Sequence, residues 1–109
     1  MKVVAFDATR ELTRFGSRGA TIGGVAVCSG GMRISILELA PGGVLGLHET
    51  TCPQLLLVIA GSARVCGGDE TAELATGAGV LWEQGELHET VTDAGLTAIV
   101  VEADSIDLL

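Results

Sequence analysis

The sequence predicts an all-β barrel or sandwich of short strands, and three observations carry that expectation. Apolar residues come mainly as Val, Ile, Leu and Ala in runs of strand length, the longest being Leu55 to Ala60. The 16 glycines are spread along the whole chain, as turns require, because glycine supplies positive φ without steric cost. No long helical pattern, internal repeat or low-complexity tract interrupts the alternation of β-branched runs and turn residues. A chain of 109 residues suits one domain with a single core.

The elements follow in order. Met1 to Phe6 reads as a first short strand. Residues 7–19 are polar and irregular. Arg10, Arg14 and Arg18 at four-residue spacing would line one side of a short helix, but Gly16 and Gly19 disfavour a long one, so an ordered arm is expected. Thr21 to Val27 reads as a strand and Ser29-Gly30-Gly31 as a turn. Met32 to Leu39 alternates, with Met32, Ile34 and Ile36 on one face and Arg33 and Ser35 on the other. Pro41-Gly42-Gly43 is expected to stop it, and Val44 to His48 resumes. Gln54 to Ala60 is a strand apolar on both faces, Gly61 allows a bend, and Ser62 to Cys66 continues. Gly67-Gly68-Asp69 is a hairpin signal, with Thr71 to Leu74 returning from it. Val80 to Glu83, Glu86 to Val91 and Leu96 to Ala103 complete nine or ten strands at the even spacing of barrels and jelly rolls.

Charge and composition exclude several partners. A formal net charge of −8 disfavours nucleic acid and anionic membrane, which both need a basic face. No apolar stretch approaches a membrane span, and the N-terminus lacks the apolar core of a signal peptide. Cys28, Cys52 and Cys66 are odd in number and form no Cys-x-x-Cys pair, so reduced thiols in the cytoplasm are expected.

Only two histidines exist, His48 and His88, each on an expected strand after a glycine-bounded turn. Five residues separate Gly42 from His48, and six separate Gln54 from Gly61. Further on, five residues separate Gly77 from Glu83, which is followed by Gly85, His88 and Thr92. These two frames resemble the paired motifs of the cupins: Gly, five residues, His-x-His, three or four residues, Glu, six residues, Gly; and Gly, five residues, Pro-x-Gly, two residues, His, three residues, Asn. The frames cover about half the chain. Thr50 stands at the second histidine of the first motif and Gln54 at its glutamate, while Glu83 and Thr92 replace the Pro and Asn of the second. The resemblance implies a single-domain cupin, a double-stranded β-helix or jelly-roll barrel, with residues 1–20 as strand and arm, 21–103 as barrel and 104–109 as tail. It is to small bacterial cupins of unassigned role.

The resemblance also implies a divalent transition metal (Mn, Fe, Ni, Cu or Zn) held by His48, Gln54 and His88, a set weaker than three imidazoles and a carboxylate. Strand parity would put Glu86 on the face of His88, where it would complete the shell or move a proton as the catalytic group. Thr50 and Trp82 are candidates for substrate contact. The alternative for each is ordinary: barrel-lining histidines hydrogen-bonded to neighbours, a buried amide, a carboxylate in water, a packed indole. Cys52 is expected to be a small packed residue rather than a nucleophile. Arg33 and Arg64 would anchor a substrate carboxylate only if they point inward, and the outer face is the expectation for both.

Two functions compete. One is a metal-dependent enzyme of dioxygenase, isomerase, lyase or cyclase type acting on a small organic molecule. The other is a metal-free small-molecule-binding or sensor barrel, which the replacements at Thr50 and Gln54 favour. A homodimer covering exposed strand edges is expected in either case.

Overall fold

The computed structural model describes residues 1–2, 4–5 and 9–109. Among these, eight strands form: β1 (Arg10–Glu11), β2 (Arg18–Val27), β3 (Arg33–Glu49), β4 (Gln54–Gly67), β5 (Glu70–Ala75), β6 (Gly79–Trp82), β7 (Leu87–Val91) and β8 (Leu96–Glu102). The expected strand over Met1 to Phe6 falls partly on residues 3 and 6, outside the described residues, and its described residues carry none. No helix among the described residues is long and apolar enough to cross a membrane.

The strand count falls below nine or ten in part because the stop expected at Gly42 is a bend, as Gly61 is, the latter as expected. Gly42 (φ 77°) and Gly61 (φ 80°) turn the chain without ending the ladder, so β3 and β4 each run through as one long strand. Those bends let both strands pass from one sheet to the other. The first halves of β3 and β4 both pair with β8, from Arg33↔Glu102 to Leu39↔Leu96 and from Gln54↔Glu102 to Gly61↔Leu96. Their second halves both pair with β7, from Val44↔Val91 to Glu49↔Leu87 and from Arg64↔Val91 to Gly67↔His88. The sheet closes on itself through these two seams. β2 and β6 extend one layer, and β5 extends the other.

The core lies between the layers. Along β8, Leu96, Ala98 and Val100 point inward while Thr97 and Ile99 are half-buried on the other face, a period of two. Their cross-strand partners Leu39, Leu37, Val58 and Leu56 share that inner face. Val65 and Trp82 complete the same cluster. Gly61 is fixed twice over: its φ is positive, and a Cβ there would overlap the Gly95 carbonyl.

Candidate functional site

β3 and β7 run side by side with His48 and His88 as direct cross-strand partners. Residues paired in this way share a face, so both rings enter the barrel, and their centroids lie 4.3 Å apart. His88 is 2% exposed. Trp82 meets it edge-on at 4.4 Å, with the indole N–H donating to the Cys66 carbonyl at 2.9 Å.

The register of β3 against β7 shifts between Leu45 and His48. That bulge releases the backbone of Gly46 from the ladder. Its N–H accordingly donates to Ser17 Oγ at 3.0 Å, and its carbonyl accepts from His48 Nδ1 at 2.7 Å. A carbonyl can only accept, so the Nδ1 of His48 carries a proton, which in the neutral ring leaves its Nε2 bare. His88 Nε2 then donates to His48 Nε2 at 3.0 Å. The remaining nitrogen, His88 Nδ1, is buried without a partner. Burial, with the neighbouring His48 as a second cause, lowers the pKa of His88 from 6.5 to about 4, so it is neutral at physiological pH.

An arm closes over the pair. A short 3-10 turn, Arg14–Gly16, brings the Phe15 ring flat onto His48, with centroids 3.9 Å apart and planes 8° from parallel. Phe15 adopts φ 61° and ψ 25°, a left-handed conformation that costs a bulky residue about 1–3 kcal/mol. The arm comes close because position 46 is glycine: a Cβ there would overlap the Phe15 carbonyl oxygen. Gly46→Ala is therefore expected to lift the arm off the barrel. Trypsin should then cut at Arg14 about tenfold faster, equivalent to ~1.4 kcal/mol of lost docking. Unchanged cleavage would show that this contact does not hold the arm.

Between arm and barrel lies a cavity of about 510 Å³, lined by His48, His88, Thr50, Gln54 and apolar residues including Leu37 and Leu56. A wider open groove of about 780 Å³, past Gly19 and Gly61, contains no histidine.

The other candidate residues are placed as follows. Gln54 faces the cavity, but its amide donates to Glu102 Oε1 at 3.1 Å. Thr50 is 3% exposed, and its hydroxyl donates to the Glu86 carbonyl at 2.9 Å. Trp82 stands behind His88 and is absent from the cavity wall. Glu86 departs from the parity expectation because it precedes β7 and lies at a turn, where alternation does not apply. Its carboxylate accepts the Glu83 N–H at 2.9 Å, and it too is absent from the cavity wall. Cys52 lines the cavity, with burial and the Glu102 carboxylate pushing its thiol pKa up, so it is a neutral thiol at physiological pH.

Sequence reasoning missed the charged residues on the wall, Arg10 and Glu49 among them. Arg33, expected outside, lines the cavity, as do Arg14 and Glu102. Arg33 and Gln54 both pair with Glu102, which puts the three on one face across three strands. The alternation of β3 held the signal: Arg33 has the parity of Leu37 and Leu39, whose side chains are in the core. Arg64 is on the surface as expected, with Nη1 3.7 Å from Asp93 Oδ2.

The donor set fits a resident metal poorly. Among the described residues, no three His, Cys, Asp or Glu side chains converge as a cation site. For both imidazoles to ligate through Nε2, His88 would have to carry its proton on Nδ1, which is buried without an acceptor. Ligating histidines ordinarily donate that opposite N–H to a carbonyl or carboxylate, as His48 does to Gly46.

No protein-family profile and no curated protein sequence matches the chain. Solved structures do. The polyketide cyclase RemF from Streptomyces resistomycificus superposes with a TM-score of 0.80 at 22% identity, covering 96% of this chain and 80% of that one. KdgF from Halomonas sp. gives 0.78 at 17% identity, covering 92% and 90%. A cupin-2 domain protein from Rhodospirillum rubrum gives 0.77 at 15% identity, covering 93% and 70%. The closed jelly-roll topology and these superpositions agree that the chain has the β-barrel fold of these structures, one of which is a cupin-2 domain.

Proposed function

We propose that the chain is a small-molecule-binding cupin whose ligand sits in the cavity beside His48 and His88, without a resident metal. The observation that carries this reading is the Nε2–Nε2 hydrogen bond at the cavity wall, with His88 Nδ1 left bare and buried. The two rings bond to each other, and the cavity beside them combines an apolar wall of Leu37, Leu45, Leu56 and Val100 with polar and charged groups that could orient a ligand.

The test is thermal unfolding against a library of small organic molecules in the presence of EDTA. A ligand at a hundredfold its Kd should stabilise by about 2.7 kcal/mol, a shift of roughly 10 °C for a chain of this size. His48→Ala should abolish that shift. Stabilisation that appears only on adding Mn, Fe, Ni, Cu or Zn would overturn the metal-free reading.

One observation favours the metal-dependent alternative. Two donors at right angles on one ion, with bonds of about 2.1 Å, stand about 3.0 Å apart, and the two Nε2 atoms are 3.0 Å apart. The same experiment separates the two readings.

A further inference from the structure

We infer that the cavity selects organic anions: molecules with an apolar body and one acidic group, held at the mouth by Arg10, Arg14 and Arg33. The inference rests on the cavity being a ligand site and adds the chemical class of the ligand.

The argument begins with charge. The chain has only 6 Lys and Arg against 14 Asp and Glu. Half of those six cations, Arg10, Arg14 and Arg33, line this one cavity. They come from β1, the 3-10 turn and the start of β3, so the fold assembles the cluster and no local sequence run explains it. In a chain of net charge −8, gathering cations at one mouth opposes the overall field and makes that mouth the place where an anion is attracted.

The guanidinium groups are also available. Among the described residues the one ion pair is Arg64 with Asp93, on another part of the surface. Glu49 and Glu102 line the cavity too, but three cations face two carboxylates, and Glu102 already accepts the Gln54 amide. Arg14 is positioned rather than loose: its guanidinium carbon stands 4.8 Å over the Phe15 ring, which itself covers His48. Behind the charged mouth, Leu37, Leu45, Leu56 and Val100 offer an apolar wall for the body of the ligand. Carboxylate and sulfonate suit such a mouth because each accepts paired N–H donors from a guanidinium.

The experiment compares two fluorescent probes on the whole chain: anilinonaphthalene sulfonate, and phenylnaphthylamine, its uncharged parent. The sulfonate should bind at least tenfold tighter and weaken with added salt, while the parent should be insensitive to salt. Arg33→Gln and Arg14→Gln should each weaken the sulfonate about tenfold and leave the parent unchanged. Arg64→Gln, away from the cavity, should alter neither. Equal affinities for the two probes, or sulfonate binding indifferent to Arg14 and Arg33, would overturn anion selection and leave the cavity as a neutral binding site. If neither probe binds, nor any molecule in the library, the ligand-site reading fails as well.

Discussion

Trp82→Ala is expected to destabilise the fold by about 3–5 kcal/mol, the usual cost of emptying a buried aromatic site. The indole is 2% exposed and closes the core beneath β7. It packs so close to β4 that a Cβ on Gly67 would sit 2.9 Å from its Cδ1. Removal would also strand the Cys66 carbonyl, which accepts the indole N–H. Trp82→Phe keeps most of the ring contact and loses the hydrogen bond, so a loss of about 1–2 kcal/mol is expected there. Trp82 is the only tryptophan, so urea unfolding of all three proteins should be followed by circular dichroism. A loss under ~1 kcal/mol for the alanine variant would refute the view that the indole is a main part of the core. The alanine variant, if folded, should also admit water beside His88 and return its pKa towards 6.5.

The second large effect is a pH dependence carried by His88. Folding lowers its pKa from 6.5 to about 4, chiefly through burial. Above pH 6.5 the ring is neutral in both states and exerts no penalty. Between pH 6.5 and about 4 the unfolded chain takes up a proton that the folded chain refuses, so stability falls as pH falls. Below about pH 4 both states are protonated and the loss is complete, at about 3 kcal/mol. His88→Gln has no such proton to take up. Its stability deficit relative to the parent chain should therefore shrink by up to ~3 kcal/mol between pH 7 and pH 4. Parallel stability curves would show that the imidazole is not held neutral by its surroundings.

These residues show where the sequence was readable. His48 and His88 could be located because their spacing from Gly42, Gly77 and Gly85 resembles the paired cupin motifs. Glu86 could not, because parity applies only inside a continuous ladder, and the turn before β7 turns its carboxylate back onto the Glu83 N–H. Gly42 was read as a stop, yet it bends a strand that continues, as Gly61 does in keeping with its reading as a bend. A glycine at positive φ does not announce whether the ladder resumes beyond it. The inward aim of Arg33 was present in the alternation of β3 but was outweighed by the expectation that guanidinium groups face water. It lines the cavity while remaining exposed. The arm was expected as a polar loop. What the sequence does not display is that a bulge 29 residues further along the chain frees the Gly46 N–H for Ser17.

The two long strands that change layers also set the order in which this molecule can take shape. β2 and β3 are joined by a short turn and can zip together early, from local contacts alone. The facing borders of β3 and β4 cannot, because β8 is the seam between their first halves and β7 the seam between their second. Until Leu96–Glu102 arrives, a row of peptide groups on each border has no mate within the chain, and such rows recruit strands from other molecules. Assembly should accordingly be slow, on the order of milliseconds to seconds, and losses to aggregation should concentrate in the interval before that last strand is inserted.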